Sequence, residues 1–184
     1  MNPLKSLSSL GISKLEWVQP RSREERFELR FEGAVYATLT FRSAFGTLAV
    51  AETGEGRWSF KRIGFLQPRV TVRLLDQPLN LAVYQPKLLG EGLLTFHDGL
   101  SLAWRPGNFW ATEWGFIDDR GVMIMKFHTG VEQEKLSDIF KMQATVELGQ
   151  TDAFREGWSF LPALGFYLLI LHRKDIAVTT AATT

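Results

Sequence analysis

Short apolar-rich segments, separated by polar turn residues, follow one another along most of the chain. Between Glu25 and about Leu148 they are rich in Val, Thr, Phe, Trp and Leu, and Gly, Asp-Gly and Pro divide them at spacings typical of antiparallel hairpins. The segment Glu132–Phe140 fits a short helix or a loop equally well. The pattern predicts twelve strands, at Lys14–Val18, Arg26–Phe31, Val35–Phe41, Thr47–Ala51, Arg57–Arg62, Val70–Leu74, Asn80–Tyr84, Gly92–Phe96, Leu100–Trp104, Phe109–Phe116, Val122–Phe127 and Met142–Leu148.

The C-terminal part has a different pattern. From Phe160 to Leu171 the chain is apolar on every side of a helical wheel, whereas a surface helix would show a polar stripe. As a helix these residues span about 18 Å, less than the roughly 30 Å of a bilayer core. We therefore predict a buried helix over Leu161–Leu171, with Arg173 and Lys174 at its negative end. A re-entrant or tail-anchor segment is the alternative.

A helix that is apolar all round must be enclosed on all sides. A flat sheet covers only one side, but a sheet curled into a barrel covers every side and also removes exposed strand edges. The fold class predicted is therefore mostly β: a closed antiparallel barrel of about twelve strands around a buried C-terminal helix. We expect a single domain over residues 1–184, with an ordered core over about 14–174 and a disordered tail over 178–184.

Short motifs recur along the chain at offsets of 54 to 56 residues. This echo predicts that the barrel consists of two pseudo-repeated halves, with equivalent tryptophans that both face the helix. Chance recurrence of apolar triplets in a β-rich chain is the alternative. The repeated motifs are Leu39-Thr40-Phe41 with Leu94-Thr95-Phe96, Leu48-Ala49 with Leu102-Ala103, and Trp58-x-Phe60 with Trp114-x-Phe116.

Composition and charge exclude several classes of function. The chain has 184 residues, 45% hydrophobic and 22% charged, which is typical of a globular domain. A net charge of +1 gives no general support for nucleic-acid or membrane binding, so any such role needs a local patch. With no cysteine there is no disulfide, thiolate nucleophile or Cys-type metal site. The N-terminal segment lacks a clear cleavage site, so we predict no signal peptide and a cytoplasmic location.

The strand meander, the Trp-x-Phe strands at Arg57–Arg62 and Glu113–Phe116, and the closing helix Leu161–Leu171 resemble the tubby-like barrel superfamily. That superfamily includes tubby C-terminal domains, phospholipid scramblases and LURP-one-related proteins. The resemblance covers about Lys14 to Lys174 and implies a twelve-stranded barrel threaded by a hydrophobic helix. For function it implies less, since tubby domains bind phosphoinositides, scramblases act on bilayers, and many small relatives have no assigned role. This chain lacks the cysteine run and the acidic calcium segment of the scramblase pattern.

Catalytic and metal-binding motifs are missing from the sequence. His97, His128 and His172 do not have ligand spacing with a carboxylate on a shared face, so we expect surface or strand-end histidines and no metal site. The sequence has no G-x-S-x-G, P-loop or dinucleotide fingerprint. No cofactor is predicted.

Aromatic side chains recur on the predicted strands. By alternation, Trp58 and Phe60 share one strand face, while Trp110, Trp114 and Phe116 share another. These rings are predicted to pack on the central helix. Stacking on nucleic-acid bases or on a ligand ring is the alternative.

One stretch of the chain has a local excess of charge. Arg57 to Arg73 holds five cations and no acid. Alternation places four of them on one outer face if their two strands pair. Such a face suits a phosphate-bearing head group, an acidic protein or a nucleic-acid backbone. Neutralisation by nearby acids such as Glu28, Glu52 or Glu113 is the alternative. The predicted ligand-binding residues are Arg57, Lys61, Arg69 and Arg73.

The function predicted from the sequence is a non-enzymatic binding module for anionic lipid head groups or another phosphorylated ligand. No nucleic-acid partner and no transmembrane span are expected, and the location is cytoplasmic or at the membrane periphery. Two alternatives stay open. One is a structural or protein-interaction domain, and the other is an enzyme with a barrel-mouth pocket that uses carboxylates such as Glu113 or Asp118.

Overall fold

The computed structural model describes residues 4–10, 14–21, 24–44, 46–129, 143–149 and 157–182. Each strand pairs antiparallel with its neighbours in the chain, and β12 pairs with β1 to close the barrel. The elements are β1 (Lys14–Val18), β2 (Arg26–Phe31), β3 (Ala34–Phe41), β4 (Ala49–Thr53), β5 (Gly56–Ile63), β6 (Arg69–Leu74), β7 (Asn80–Pro86), β8 (Gly92–Phe96), β9 (Ser101–Pro106), β10 (Glu113–Ile117), β11 (Met123–Thr129), β12 (Ala144–Leu148) and α1 (Leu161–Ala182). Short 3₁₀ turns occur at Leu7–Ser9 and Leu88–Gly90.

The closed antiparallel barrel around a C-terminal helix is confirmed. Every predicted strand has a counterpart, and three have the predicted bounds, Lys14–Val18, Arg26–Phe31 and Gly92–Phe96. The largest difference is at β10, which begins at Glu113 rather than Phe109. The segment 132–140, for which a helix and a loop were both open, lies outside the described residues.

The helix α1 fills the barrel. Every residue from Leu161 to Leu171 is buried, including Gly165. Phe166 stacks on Trp17 with ring centroids 4.8 Å apart, and the Tyr167 hydroxyl donates a hydrogen bond of 2.6 Å to the carbonyl of Thr47. The closed barrel therefore covers every side of a helix that is apolar all round, and the helix fills the barrel interior.

The helix is longer than its apolar stretch. It continues beyond Leu171 to Ala182, so the backbone of 178–182 is helical where the sequence predicts a disordered tail. Side chains on two sides tether this extension to the wall. Asp175 pairs with Arg62 at 2.7 Å, and the Lys174 ammonium lies 3.0 Å from the carbonyl of Ala44 and 4.6 Å from the ring centre of Phe41.

The direction of α1 distinguishes the two ends of the barrel. At the lower end the helix begins, and Phe160 lies 6.1 Å from the ring of Trp58 near the start of β5. At the upper end the helix leaves the barrel, and His172 lies 5.3 Å from the ring of Trp114 near the start of β10. The hairpins β3–β4, β5–β6, β7–β8 and β9–β10 turn at the upper end.

The sequence echo does not mark equivalent positions in the barrel. The repeated motifs lie five strands apart, on β3 and β8, β4 and β9, and β5 and β10, so each pair runs in opposite directions. Rotation about the barrel axis preserves strand direction, and rotation about a perpendicular axis reverses strand order. Neither rotation superposes the repeated strands in chain order. Trp58 and Trp114 both face the interior as predicted, but at opposite ends of the barrel.

We predict that Gly165→Ala destabilises the barrel although alanine favours helices by about 1 kcal/mol. A methyl group on Gly165 would overlap the ring of Phe127, which is fully buried against Trp104 and Phe116 and cannot withdraw. We expect a net loss of about 1–2 kcal/mol in the free energy of unfolding, measured by chemical denaturation.

The matched background for this test is Phe127→Leu, which removes the ring atoms that the methyl group would meet. Gly165→Ala should cost less in that background than in the wild type, as a double-mutant cycle would show. A Gly165→Ala protein more stable than the wild type would contradict the close packing of α1 on β11.

Candidate functional site

The predicted site residues lie on the β5–β6 hairpin, which turns at the upper end of the barrel. The register pairs Ser59 with Arg73, Lys61 with Thr71, and Ile63 with Arg69. Trp58 and Phe60 point into the core, so alternation turns the odd-numbered residues of β5 outward. All four predicted cations, Arg57, Lys61, Arg69 and Arg73, are accordingly exposed on the outer side of one two-stranded ribbon.

The four cations differ in their partners. The Arg57 guanidinium is 2.9 Å from a carboxylate oxygen of Glu52, and Arg73 donates a hydrogen bond of 2.7 Å to the side-chain carbonyl of Asn80. Lys61 and Arg69 make no side-chain hydrogen bond or ion pair within the described part of the chain. Neutralisation by acids, the alternative raised from the sequence, therefore applies to Arg57 through Glu52.

Lys61 and Arg69 form a close pair, which we call the cation pair. They are diagonal neighbours across β5 and β6, a relation that places residues about 7–8 Å apart. A single phosphate group between them would meet both charges, since guanidinium offers a planar pair of donors and ammonium a point charge. Arg57, near the lower end of the ribbon, lies six residues before Ile63 and is too far to join such a contact.

The fifth cation of the stretch has a different role. Arg62 has the same parity as Trp58 and Phe60 and lies toward the barrel interior, where its guanidinium contacts both carboxylate oxygens of Asp175 at 2.7 and 2.8 Å. This pair ties α1 to the wall at the upper end. Strand alternation in the sequence already places Arg62 on the face opposite the other cations. It does not show that the partner of Arg62 is Asp175 on α1.

Exposed apolar side chains are concentrated at the upper end. We call the six most exposed of them the apolar rim, and each of these six residues is 71% to 97% accessible to solvent. Among the described residues, only Leu79 and Val122 of the exposed large apolar side chains lie at the lower end. The apolar rim consists of Phe65 and Leu66 on β5–β6, Leu89 on β7–β8, Phe109 and Trp110 on β9–β10, and Val178 on α1.

The prediction that Trp110 packs on the helix is wrong. Because β10 begins only at Glu113, Trp110 lies in the β9–β10 loop and is 80% exposed. The side-chain carbonyl of Asn108 accepts a hydrogen bond from the backbone N–H of Thr112 and holds this loop closed. Strand alternation therefore does not extend from Trp114 back to Trp110. The signal that sequence reasoning missed is the pair of adjacent aromatic residues directly after Pro-Gly-Asn.

A small cavity of about 130 Å³ lies beside α1 at the upper end. Its walls are mainly apolar, and the Arg62–Asp175 pair borders it. The Tyr84 hydroxyl donates a hydrogen bond of 3.1 Å to the carbonyl of Gly90, and burial raises the pKa of Tyr84 far above its ordinary value. The other lining residues include Val70, Pro86, Leu168, Leu171 and His172.

The carboxylates proposed for an enzymatic pocket lie apart. Glu113 starts β10 at the upper end, and Asp118 follows β10 at the lower end, about 17 Å away along the strand. A hydrogen bond from Lys126 holds the pKa of Glu113 below its usual range. The backbone N–H of Val122 does the same for the pKa of Asp118. Both are ionised groups with local partners, and they do not converge on one substrate.

No metal centre is visible in the part of the chain that the structure describes, where no three His, Cys, Asp or Glu side chains are grouped to hold an ion. No helix among these residues combines the length and apolar content needed to cross a bilayer. Comparison of the chain with protein-family models, with curated proteins and with solved structures gave no match. The barrel agrees with the fold that the tubby-like resemblance implies, and membership of that superfamily stays a prediction.

Tyr84 and Tyr167 should resist ionisation in the folded protein. Burial raises the pKa of both hydroxyls above the ordinary value of 10.0. Their contribution to stability is complete below pH 10.0 and is lost as the pH rises toward the folded-state pKa, because the unfolded chain then releases protons that the fold retains. A titration followed by tyrosinate absorbance should show both ionising only when circular dichroism reports unfolding.

The controls are Tyr84→Phe and Tyr167→Phe. Each should remove one delayed tyrosinate transition and weaken the loss of stability at alkaline pH. Reversible ionisation of every tyrosine near pH 10.0, with the barrel still folded, would show that the two hydroxyls are not enclosed as the structure has them.

Proposed function

We propose that this barrel is a non-enzymatic binding module that holds phosphate-bearing anions, supplied by anionic lipid head groups, at the upper end of its β5–β6 ribbon. One observation supports the proposal above all. Lys61 and Arg69 are exposed, adjacent and without an acidic partner among the described residues.

The contrast with surface cations that have acidic partners supports the proposal. Arg30 lies 2.6 Å from Glu28, and Arg120 lies 3.3 Å from Asp118, as is common for exposed charges on a domain with nearly balanced composition. Two neighbouring cations with no acid to screen them create a local positive potential. Such a potential attracts anions, and both Arg and Lys bind phosphate groups.

Lipid head groups fit this surface better than a nucleic-acid backbone does. Nucleic-acid binding needs a stripe of cations that follows many phosphates, and the chain has a net charge of only +1. The cation pair is compact and lies near the tip of a hairpin, where a flat membrane surface can reach it. On this proposal the protein is peripheral to the cytoplasmic membrane face, where anionic lipids accumulate.

Co-sedimentation with vesicles tests the proposal. Wild-type protein should bind phosphatidylcholine vesicles that contain phosphatidylserine or a phosphoinositide, and binding should weaken as salt increases. The double variant Lys61→Glu/Arg69→Glu should lose most of this binding. Its thermal midpoint should change little, because exposed charges contribute little to stability.

The matched control is Arg30→Glu/Arg120→Glu, which changes the net charge equally at cations that already have acidic partners. It should bind anionic vesicles nearly as the wild type does. Soluble inositol phosphates added as competitors distinguish recognition of the head group alone from recognition of the membrane surface. Equal binding by the wild type and the Lys61/Arg69 variant would refute the assignment to the cation pair.

A further inference from the structure

Three consecutive hairpins carry exposed apolar residues at the upper end of the barrel. The β5–β6, β7–β8 and β9–β10 hairpins are neighbours around the wall, and their tips present Phe65 with Leu66, Leu89, and Phe109 with Trp110. The end of α1 leaves the barrel at the same end and adds Val178. A single exposed apolar residue is ordinary on a protein surface, but a set concentrated at one end indicates an interaction site.

The β7–β8 loop holds Leu89 outward. In β7–β8 the backbone N–H of Lys87 donates a 2.6 Å hydrogen bond to the carbonyl of Glu91, and Leu89 has φ of +59°. That conformation is rare for a bulky residue, and strain of this kind is often kept for function. Gly90 packs against His172 so closely that a side chain there would collide with the imidazole. The inner side of the loop is thus filled by α1, and Leu89 is directed to solvent.

The charges around the apolar rim complement an anionic surface. Exposed cations at the upper end that have no acidic partner among the described residues lie close to the apolar tips in the chain, and Phe65 with Leu66 lies in the turn that joins the two strands of the cation pair. Three acids at this end are paired, Asp175 with Arg62, Glu113 with Lys126 and Glu25 with Lys174, and Glu91 in the β7–β8 loop is half-buried. The cations concerned are Arg42, Lys61, Arg69, Lys87, Arg105 and Arg173.

We propose that the apolar rim inserts into the interfacial layer of an anionic bilayer. In this orientation the upper end of the barrel faces the membrane. Exposed Trp and Phe with flanking Lys and Arg are the residues that membrane interfaces favour. The tips are convex and spread over four elements, a shape that a deformable lipid surface accepts and that a folded protein would match only with several separate pockets. This proposal rests on the proposed function, since the cation pair supplies the head-group contacts.

Trp110 gives a direct optical test. The chain has six tryptophans, and the other five are buried, with at most 6% of each exposed. On addition of vesicles of phosphatidylcholine and phosphatidylserine, emission should shift to shorter wavelength and be quenched by lipids brominated in the acyl chain. Trp110→Phe should abolish the shift while the protein still co-sediments.

Binding strength provides a second measurement. Phe65→Ser/Leu66→Ser and Phe109→Ser/Trp110→Ser should each weaken vesicle binding roughly tenfold or more, since each removes two inserting side chains. The matched control is Leu79→Ser, which removes a side chain that is 77% exposed at the lower end and should leave binding unchanged. Because all these residues are exposed, the variants should fold normally, and circular dichroism checks this.

The outcomes separate the two proposals. Wild-type binding to anionic vesicles with no emission shift and no quenching would overturn insertion and leave head-group binding in place. Rim variants that bind as the wild type does would also overturn insertion, and so would equal weakening by Leu79→Ser. An emission shift that persists in Lys61→Glu/Arg69→Glu would support insertion and refute the role of the cation pair. No vesicle binding by the wild type at low salt would overturn both proposals.

Discussion

The whole fold depends on the enclosure of one apolar helix. From Leu161 to Leu171 the apolar residues of α1 face every direction, so the helix is stable in water only when a wall surrounds it. Twelve strands that close on themselves provide that wall and leave no unpaired edge in the sheet. The contact is close, because Gly165 has room for no side chain beside Phe127. Neither the helix nor the barrel interior would be stable without the other.

Filling the interior leaves only the outer faces and the two ends for binding. At the lower end α1 begins among buried rings such as Trp158 and Phe160, and that end carries few exposed apolar residues in the described part of the chain. At the upper end α1 leaves the barrel, and Arg62 and Lys174 hold it to the wall. The two ends of the barrel therefore present different surfaces. The apolar rim, the cation pair and the small cavity all lie at the end from which the helix emerges.

The sequence predicted the strands well because turn residues and alternation are local properties. It also predicted the barrel, because few folds can cover every side of an apolar helix that has no polar stripe. Local patterns were less reliable where a loop contains apolar residues. Phe109 and Trp110 have strand-like composition, but the side chain of Asn108 closes a loop over them and β10 starts later. The echo of Trp58 and Trp114 failed for a different reason, since strand direction depends on how many strands separate two positions.

For the site, the sequence by itself determined which cations share the outer face of one ribbon, because side chains alternate along any strand. Only the tertiary structure decided which of them are free. Arg57 forms an ion pair with Glu52 on β4, and Arg73 donates a hydrogen bond to Asn80 on β7. Arg62 forms an ion pair with Asp175 on α1, a residue 113 positions away. The gathering of Phe65, Leu89 and Trp110 at one end likewise depends on closure of the barrel. The Arg62–Asp175 pair and the grouping of the tips depend on contacts between residues far apart in the chain, which a local pattern does not contain.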